Sequence, residues 1–510
     1  MTMTHPGLPL PWVIAVAVLG LLASFWLLLS PLPAGGGRPF LLHLARLPFI
    51  GNSLRRLLTR PWLLLSLKLV MVALFLLVIY AGLFGTPIPE RNLATVLTWN
   101  VWWSGLIFSV FFLGSAWCAV CPWDALAQWL VRRKLWRRAE PNNSLNLTVP
   151  KWLRSVWPAL FLFVALTWLE LGVGITLSPY ATAILSLLMV VMATVSLSLF
   201  QRKAFCRYFC PVGRTVGAYS QLSMVELRPI APDVCASCTT LECYHGNAEV
   251  EPCPTSLVMG RLEQNSYCTS CGNCSRSCPQ QNVAWRFRSP SIEAMQTGRP
   301  HWDEAWFMLG LLALTGFHGL TMMSFWEDWM RNLAQRIGDS GQLLASFSIG
   351  LVGILVAVFS LYSLSLLAIQ QLLGNAVSFR RLFASFSFTA LPLAFSYHMA
   401  HNLNHLVREG SGLGDLFLNP LGTNTLPLSM QEKHMRHLSM WISQDALFTI
   451  QAVLMLLGFL VAMQVIRHRG QVLLGSGQQS AWKLAPMLAF VITMTAFHLW
   501  MLMQPMTMRM

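Results

Sequence analysis

The chain has 510 residues, of which 11% are charged and 55% hydrophobic, and its 35 Lys and Arg against 20 Asp and Glu give a formal charge of +15. So few charges exclude an ordinary soluble enzyme, in which about a quarter of residues are charged, and 21 Trp, 29 Phe and 25 Met at a mean hydropathy of +0.55 point to membrane lipid as the surroundings. The charge is lopsided: residues 1 to 225 carry +14 and the remaining 285 only +1, so the excess belongs to one half of the chain and nucleic acid is not an expected partner.

Apolar runs long enough to cross a hydrocarbon core of roughly 30 Å are expected at 10 to 30, 62 to 85, 95 to 117, 155 to 177, 181 to 200, 305 to 326, 343 to 373, 382 to 406, 446 to 466 and 482 to 504. Before the first run, Met1 to Leu10 carry no Lys or Arg. A retained span is therefore expected there, since a cleaved signal needs a positive leader, although Pro33-Ala34-Gly35 looks like a small-residue cleavage region. Lys and Arg collect in alternate connections. They stand at 32 to 61, 118 to 154, 202 to 214, 380 to 381 and 467 to 483, while 86 to 94, 178 to 180, 327 to 342 and 407 to 445 are neutral or balanced. Basic connections stay cytoplasmic, which puts both termini on the periplasmic side and every cysteine at the cytoplasmic face. The expected fold is an all-α polytopic membrane protein of about ten transmembrane helices with a small α+β, bacterial-ferredoxin-like cytoplasmic insert. Its parts are a five-helix domain over 1–225, the insert over 226–300 and a second five-helix domain over 301–510.

The 12 cysteines lie between Cys118 and Cys278. Two motifs follow the third and fifth spans: Cys118-Ala-Val-Cys121-Pro122 and Cys206-Arg-Tyr-Phe-Cys210-Pro211. If those spans are neighbours, Cys118, Cys121, Cys206 and Cys210 form one soft four-sulfur site for an iron–sulfur cluster, zinc or Cu(I); the alternatives are redox-active dithiols or free thiols that help the insert dock. Further on, Cys268, Cys271, Cys274 and Cys278-Pro279 match the C-x2-C-x2-C-x3-C-P ferredoxin run, preceded by a looser copy in Cys235, Cys238, Cys243 and Cys253-Pro254. In two-cluster ferredoxins the fourth cysteine of each run ligates the other cluster. The expected ligands are thus Cys235, Cys238, Cys243 and Cys278 for one [4Fe-4S] cluster, and Cys268, Cys271, Cys274 and Cys253 for the second. Zinc knuckles also use C-x2-C pairs, but the uninterrupted run and the two Cys-Pro endings favour clusters.

Paired Cys-Pro motifs at the ends of spans, followed by a two-cluster ferredoxin segment, resemble the membrane polyferredoxins typified by NapH and NosR, with the CcoG-type copper-site assembly proteins as relatives. The likeness covers residues 62 to 285. It implies a bacterial inner-membrane protein with a quinol-linked role supporting a periplasmic reductase. Members of that family show C-x3-C-P in both places, whereas this chain has C-x2-C-P at Cys118 to Cys121.

Beyond residue 300 the chemistry changes to histidine. His398, His401 and His405 share one face of the eighth run, and His318 and His498 lie on the sixth and tenth, all placed in the outer half of the bilayer. Cytoplasmic clusters need a relay to reach an outer acceptor, and haem b held by two of these histidines is one solution; a bound metal, a quinone or plain packing are the others. Met430, His434, Met435, His437 and Met440, with Met501, Met503, Met506, Met508 and Met510, supply the soft ligands that Cu(I) prefers. Glu170, an intramembrane carboxylate, is the candidate proton carrier, and Lys68 is expected to snorkel. No G-x-G-x-x-G fingerprint or P-loop is present. The expected function is electron transfer between quinol or a cytoplasmic donor and a periplasmic redox partner. The rivals are a copper reductase or assembly factor and a membrane redox sensor.

Overall fold

The computed structural model describes residues 4–30, 40–49, 51–133, 143–474 and 481–507. All ten apolar runs are helical: α1 Leu10–Leu29, α2 Pro61–Phe84, α3 Leu93–Leu113, α4 Trp157–Gly172, α5 Pro179–Leu199, α6 Trp302–Leu320, α7 Leu344–Leu372, α8 Ala390–Glu409, α9 Gln444–Leu474 and α10 Ala485–Met503. The chain is an all-α polytopic membrane protein. Among the described residues seven of these helices are long and apolar enough to cross a membrane, against the ten spans expected from sequence. The other three, α4, α6 and α8, differ for physical reasons. Helix α4 is short, α6 opens with Asp303 and Glu304, and α8 carries His398, His401, Asn402, Asn404, His405 and Arg408. Helix α8 packs against α3, α6, α9 and α10, and nearly all of it is buried. A helix wrapped by others needs no lipid-compatible face, so polar side chains survive there when they find partners. Gly458 of α9 permits the close approach to α8, since a Cβ there would lie 2.1 Å from Ser396 Oγ.

The described strands are β1 Thr4–His5, β2 Leu41–His43, β3 Val225–Pro229, β4 Val283–Arg288 and β5 Met506–Thr507. Strands β3 and β4 pair antiparallel with Glu226 opposite Arg286, and both enclose the two cysteine runs. A third strand comes from outside the expected insert: β2, from the connection between α1 and α2, pairs along the other edge of β4 with Leu41 opposite Arg288. Strands β1 and β5 tie the two ends of the chain together.

Alternation along β3 and β4 puts Glu226, Arg228, Arg286 and Arg288 on one face of the sheet, where the neighbouring Glu293 joins them. Arg228 and Arg286 reach Glu293 and Glu226 at 2.8 and 2.6 Å, and Arg288 bonds both carboxylates. Arg288 also donates to Ser220 O at 2.8 Å, and Arg469 of α9 donates to the carbonyls of Glu293, Ala294 and Gly298. This buried network clamps the insert to the bundle. Removing one carboxylate leaves buried guanidinium charge without its partner. Glu293→Gln is therefore expected to destabilise the protein by about 3 kcal/mol or more, read as a lowered unfolding midpoint in detergent. Glu263→Gln, which breaks the exposed pair with Arg299, should leave that midpoint nearly unchanged.

Candidate functional site

The insert gathers its eight cysteines into two groups. Cys235 follows Pro232 on one short helix, Cys243 lies on the helix Glu242–His245, and Cys278 ends the helix Asn273–Ser277. With Cys238 these line a cavity of about 40 Å³, backed by Val258, Met259 and Val283. Asn282 serves two of the sulfurs, its Nδ2 lying 3.4 Å from Cys235 Sγ and its backbone N–H donating to Cys278 Sγ at 3.4 Å. Leu241, at φ 48°, turns its amide toward Cys238, and that bond, with help from Thr240, lowers the Cys238 thiol from its ordinary value. Such inward amides make an anion-seeking nest.

The second group is Cys253, Cys268, Cys271 and Cys274. Burial pushes the Cys274 thiol well up, and the charges of Cys271, Cys268 and Cys253 beside it push it further. Burial raises Cys268 to about 11 against the bond from the Ser270 amide, at φ 51°, and Leu257 N–H donates to Cys253 Sγ at 3.3 Å. Cys278 of the later run thus sits with the earlier group, and Cys253 of the earlier run with the later one. Among the described residues no three His, Cys, Asp or Glu side chains close on a point where one metal ion would sit.

A third group forms where α3 and α5 leave the bundle. Cys121 and Cys210 each stand at the N-terminus of a helix that Pro starts, Pro122–Arg132 and Pro211–Tyr219. Gly213 N–H donates to Cys210 Sγ at 3.2 Å and the Asp124 amide bonds Cys121, so two helix ends face this group. Cys206 lies on the π-helical turn Phe205–Phe209, and Cys118 on the α-turn Trp117–Val120. A π-turn accommodates one extra residue. That explains how C-x3-C-P and C-x2-C-P deliver their cysteines alike. Burial, followed by the neighbouring thiols, holds Cys118 well above its ordinary value, and burial takes Cys121 and Cys210 to about 12. Thiols so placed are poor redox dithiols. Lys203 pairs with buried Asp124 at 2.5 Å beside Cys206. The insert rests directly on this group through Ser115 Oγ and Ser270 Oγ at 2.9 Å, Lys203 N–H to Pro254 O at 3.0 Å and Arg202 to Cys253 O at 3.1 Å.

From the third group a row of rings enters the bundle. Trp117 and Trp123, which flank its first two cysteines, contact Trp102 at 5.5 and 5.8 Å between centroids. Trp102 meets Trp103 at 5.9 Å, and Trp103 Nε1–H donates to His398 Nε2 at 3.1 Å. Trp103 also lines a cavity of about 50 Å³ shared with Trp99, Glu170, His318, Asn402 and His405. Both walls are π-helical, Val96–Trp102 on one side and Trp168–Gly172 on the other. Glu170 Oε1 lies 3.8 Å from His318 Nδ1. Such a space holds a few waters or the edge of one six-membered ring, and Leu177 at its rim is exposed.

The five histidines gather around α8, and one of them is fully engaged. His398 spends both ring nitrogens, on Trp103 and on Tyr219 Oη at 3.1 Å. His401 touches His318 and His405 at 5.2 and 4.8 Å between ring centroids. His498 stacks on Tyr397 at 4.3 Å, which covers its ring. The thioethers are likewise dispersed: Met430, His434 and Met435 are exposed, while Met440, Met501 and Met506 accept from Arg408, Tyr397 and Asn404. Met503 lies near the end of α10, and Met508, Met510 and the side chain of His437 fall outside the described residues. Sequence reasoning missed Trp102, Trp103, Tyr219 and Asn402; the Trp102-Trp103 doublet was the visible signal.

A family described as a 4Fe-4S binding domain matches residues 95–139 and 182–219. Those stretches hold Cys118, Cys121, Cys206 and Cys210, the third group, and not the two ferredoxin runs. YccM of Escherichia coli (strain K12), named as an electron transport protein, is 30% identical over 124 residues, 24% of this chain and 32% of YccM. The chain therefore spans about a third of that relative's length. No solved structure matches it. Over these stretches the chain is similar to a 4Fe-4S binding domain and to a membrane relative named for electron transport, and the likeness falls on its third cysteine group.

Proposed function

We propose that the protein carries electrons between a quinol or quinone at the Glu170 cavity and iron–sulfur sites at the cysteine end of the bundle. The cysteine end is cytoplasmic in this reading, as the Lys and Arg asymmetry of the connections suggests, and the cavity lies toward the periplasm, where the mobile quinone serves an outer redox partner. The observation that carries the reading is the unbroken row of ring contacts from the cavity to Cys118 and Cys121.

Cys235, Cys238, Cys243 and Cys278 would hold one [4Fe-4S] cluster, Cys253, Cys268, Cys271 and Cys274 a second, and Cys118, Cys121, Cys206 and Cys210 a third. A bound cluster supplies a one-electron store. The chain's own residues do the rest. A quinol that becomes a quinone releases two electrons and two protons. Glu170 and His318 are the groups beside the cavity that take those protons. Asn402, fixed by Nδ2 to His398 O at 2.7 Å and by the Ser104 hydroxyl at 3.3 Å, offers a polar edge to a quinol oxygen. His398 fixes the Trp103 indole, which keeps the ring contact with Trp102 in place.

Stopped-flow mixing of holoprotein with a short-chain quinol tests the row. Trp103→Leu is expected to slow bleaching of the iron–sulfur absorption. Trp99→Leu, at the cavity but outside the row, should slow it far less. Equal rates in the two variants would remove the row from the route.

A further inference from the structure

A third cavity, of about 300 Å³, lies between α2, the third cysteine group and the insert. Five cations line it, Lys68, Arg132, Arg202, Lys203 and Arg276, against one carboxylate, Glu251. Two of the five are neutralised: Arg132 pairs with Glu251 at 3.0 Å and Lys203 with Asp124 at 2.5 Å. Arg202 and Arg276 are held by neutral groups instead. Arg202 lies 4.0 Å over the Tyr244 ring and bonds Cys253 O, and Arg276 donates to Asn273 Oδ1 at 2.5 Å. Among the described residues Lys68 makes no ion pair, and it stands about 10 Å along α2 from Pro61 at 1.5 Å per residue. Three cations thus share one cavity without a carboxylate partner among the described residues, more positive charge than the thiolates of one neighbouring cluster offset, and a further anion would complete it.

The remaining wall says which anion. Leu64 and Leu65 line the cavity beside Lys68, and the outward residues of the same helix, Trp62, Leu67, Leu69 and Val70, are exposed, as lipid-facing side chains are. A site with cations at one end, an apolar wall at the other and a position at the base of a span matches a phosphodiester with its acyl stem. We propose that this cavity binds a phosphate group, carried by an anionic phospholipid whose head group sits among Lys68, Arg202 and Arg276. It goes beyond the quinol reading and does not depend on it. Because Cys271 also lines the cavity, the phosphate lies beside the second cysteine group.

Native mass spectrometry of holoprotein equilibrated with equal phosphatidylglycerol and phosphatidylcholine tests the site. Selective retention of phosphatidylglycerol is expected, reduced about fivefold by Lys68→Gln and again by Arg276→Gln, at about 1 kcal/mol per charge, and kept by Lys68→Arg. Titrating delipidated wild-type protein with inorganic phosphate distinguishes the source. Saturable phosphate binding that needs Lys68, without lipid selectivity, supports a free phosphate as the ligand. Equal retention of both lipids by the wild type, with no phosphate binding, overturns the site. The wild-type comparison stands even if a variant loses its iron.

Discussion

Changing Cys206 and Cys210 together to alanine is expected to lower the iron of the purified protein from about twelve to about eight atoms per chain, the loss of one four-iron cluster of three. Four observations converge on that number. The four thiols are mutual neighbours, they are buried beyond easy ionisation, two helix N-termini and the Asp124 and Gly213 amides face them, and the 4Fe-4S family matches the stretches that bear them. The ferredoxin groups draw no ligand from these positions, so their absorption should persist in the double variant. An iron content near eight in both proteins would mean that the third group holds no cluster.

Glu170→Gln is the second large effect. A positioned carboxylate that accepts a proton in the rate-limiting step contributes roughly 10²-fold or more, and glutamine keeps the shape while losing the base. Reduction of the iron–sulfur sites by quinol should therefore slow by about 100-fold. Reduction by dithionite, which needs no proton acceptor in the membrane, should be unchanged, and that contrast separates a lost base from a damaged protein. Equal slowing by both reductants would point to a structural fault. No slowing at all would leave Glu170 as a packing partner of His318.

The features legible in the sequence were those written over short distances. Cysteine spacing alone picked out the two ferredoxin runs, and apolar run length located ten helices. What escaped depends on contacts far apart in the chain. Leu41–His43 is three residues long, and nothing local marks it as the strand that completes the sheet of β3 and β4. Helices α6 and α8 fall short of a lipid-crossing profile because other helices wrap them, which local hydropathy does not reveal. For the histidines, a shared face at i, i+3 and i+7 was real but said nothing about partners. His398 is spent on Trp103 and Tyr219, residues 295 and 179 positions away. The basic residues after α5 gather at the Cys206 motif as their spacing suggests, yet much of their work is on the insert, where Arg207 bonds Thr255 O and Arg202 bonds Cys253 O.

In the proposed function the cysteine groups and the Glu170 cavity form one redox unit inside a single chain. Anaerobic titration of the purified wild-type holoprotein with a quinol, followed by optical and electron paramagnetic resonance spectra, tests it most directly. The expected result is reduction of the iron–sulfur sites by quinol alone, with no added partner protein. Sites that dithionite reduces while excess quinol leaves them oxidised would contradict it.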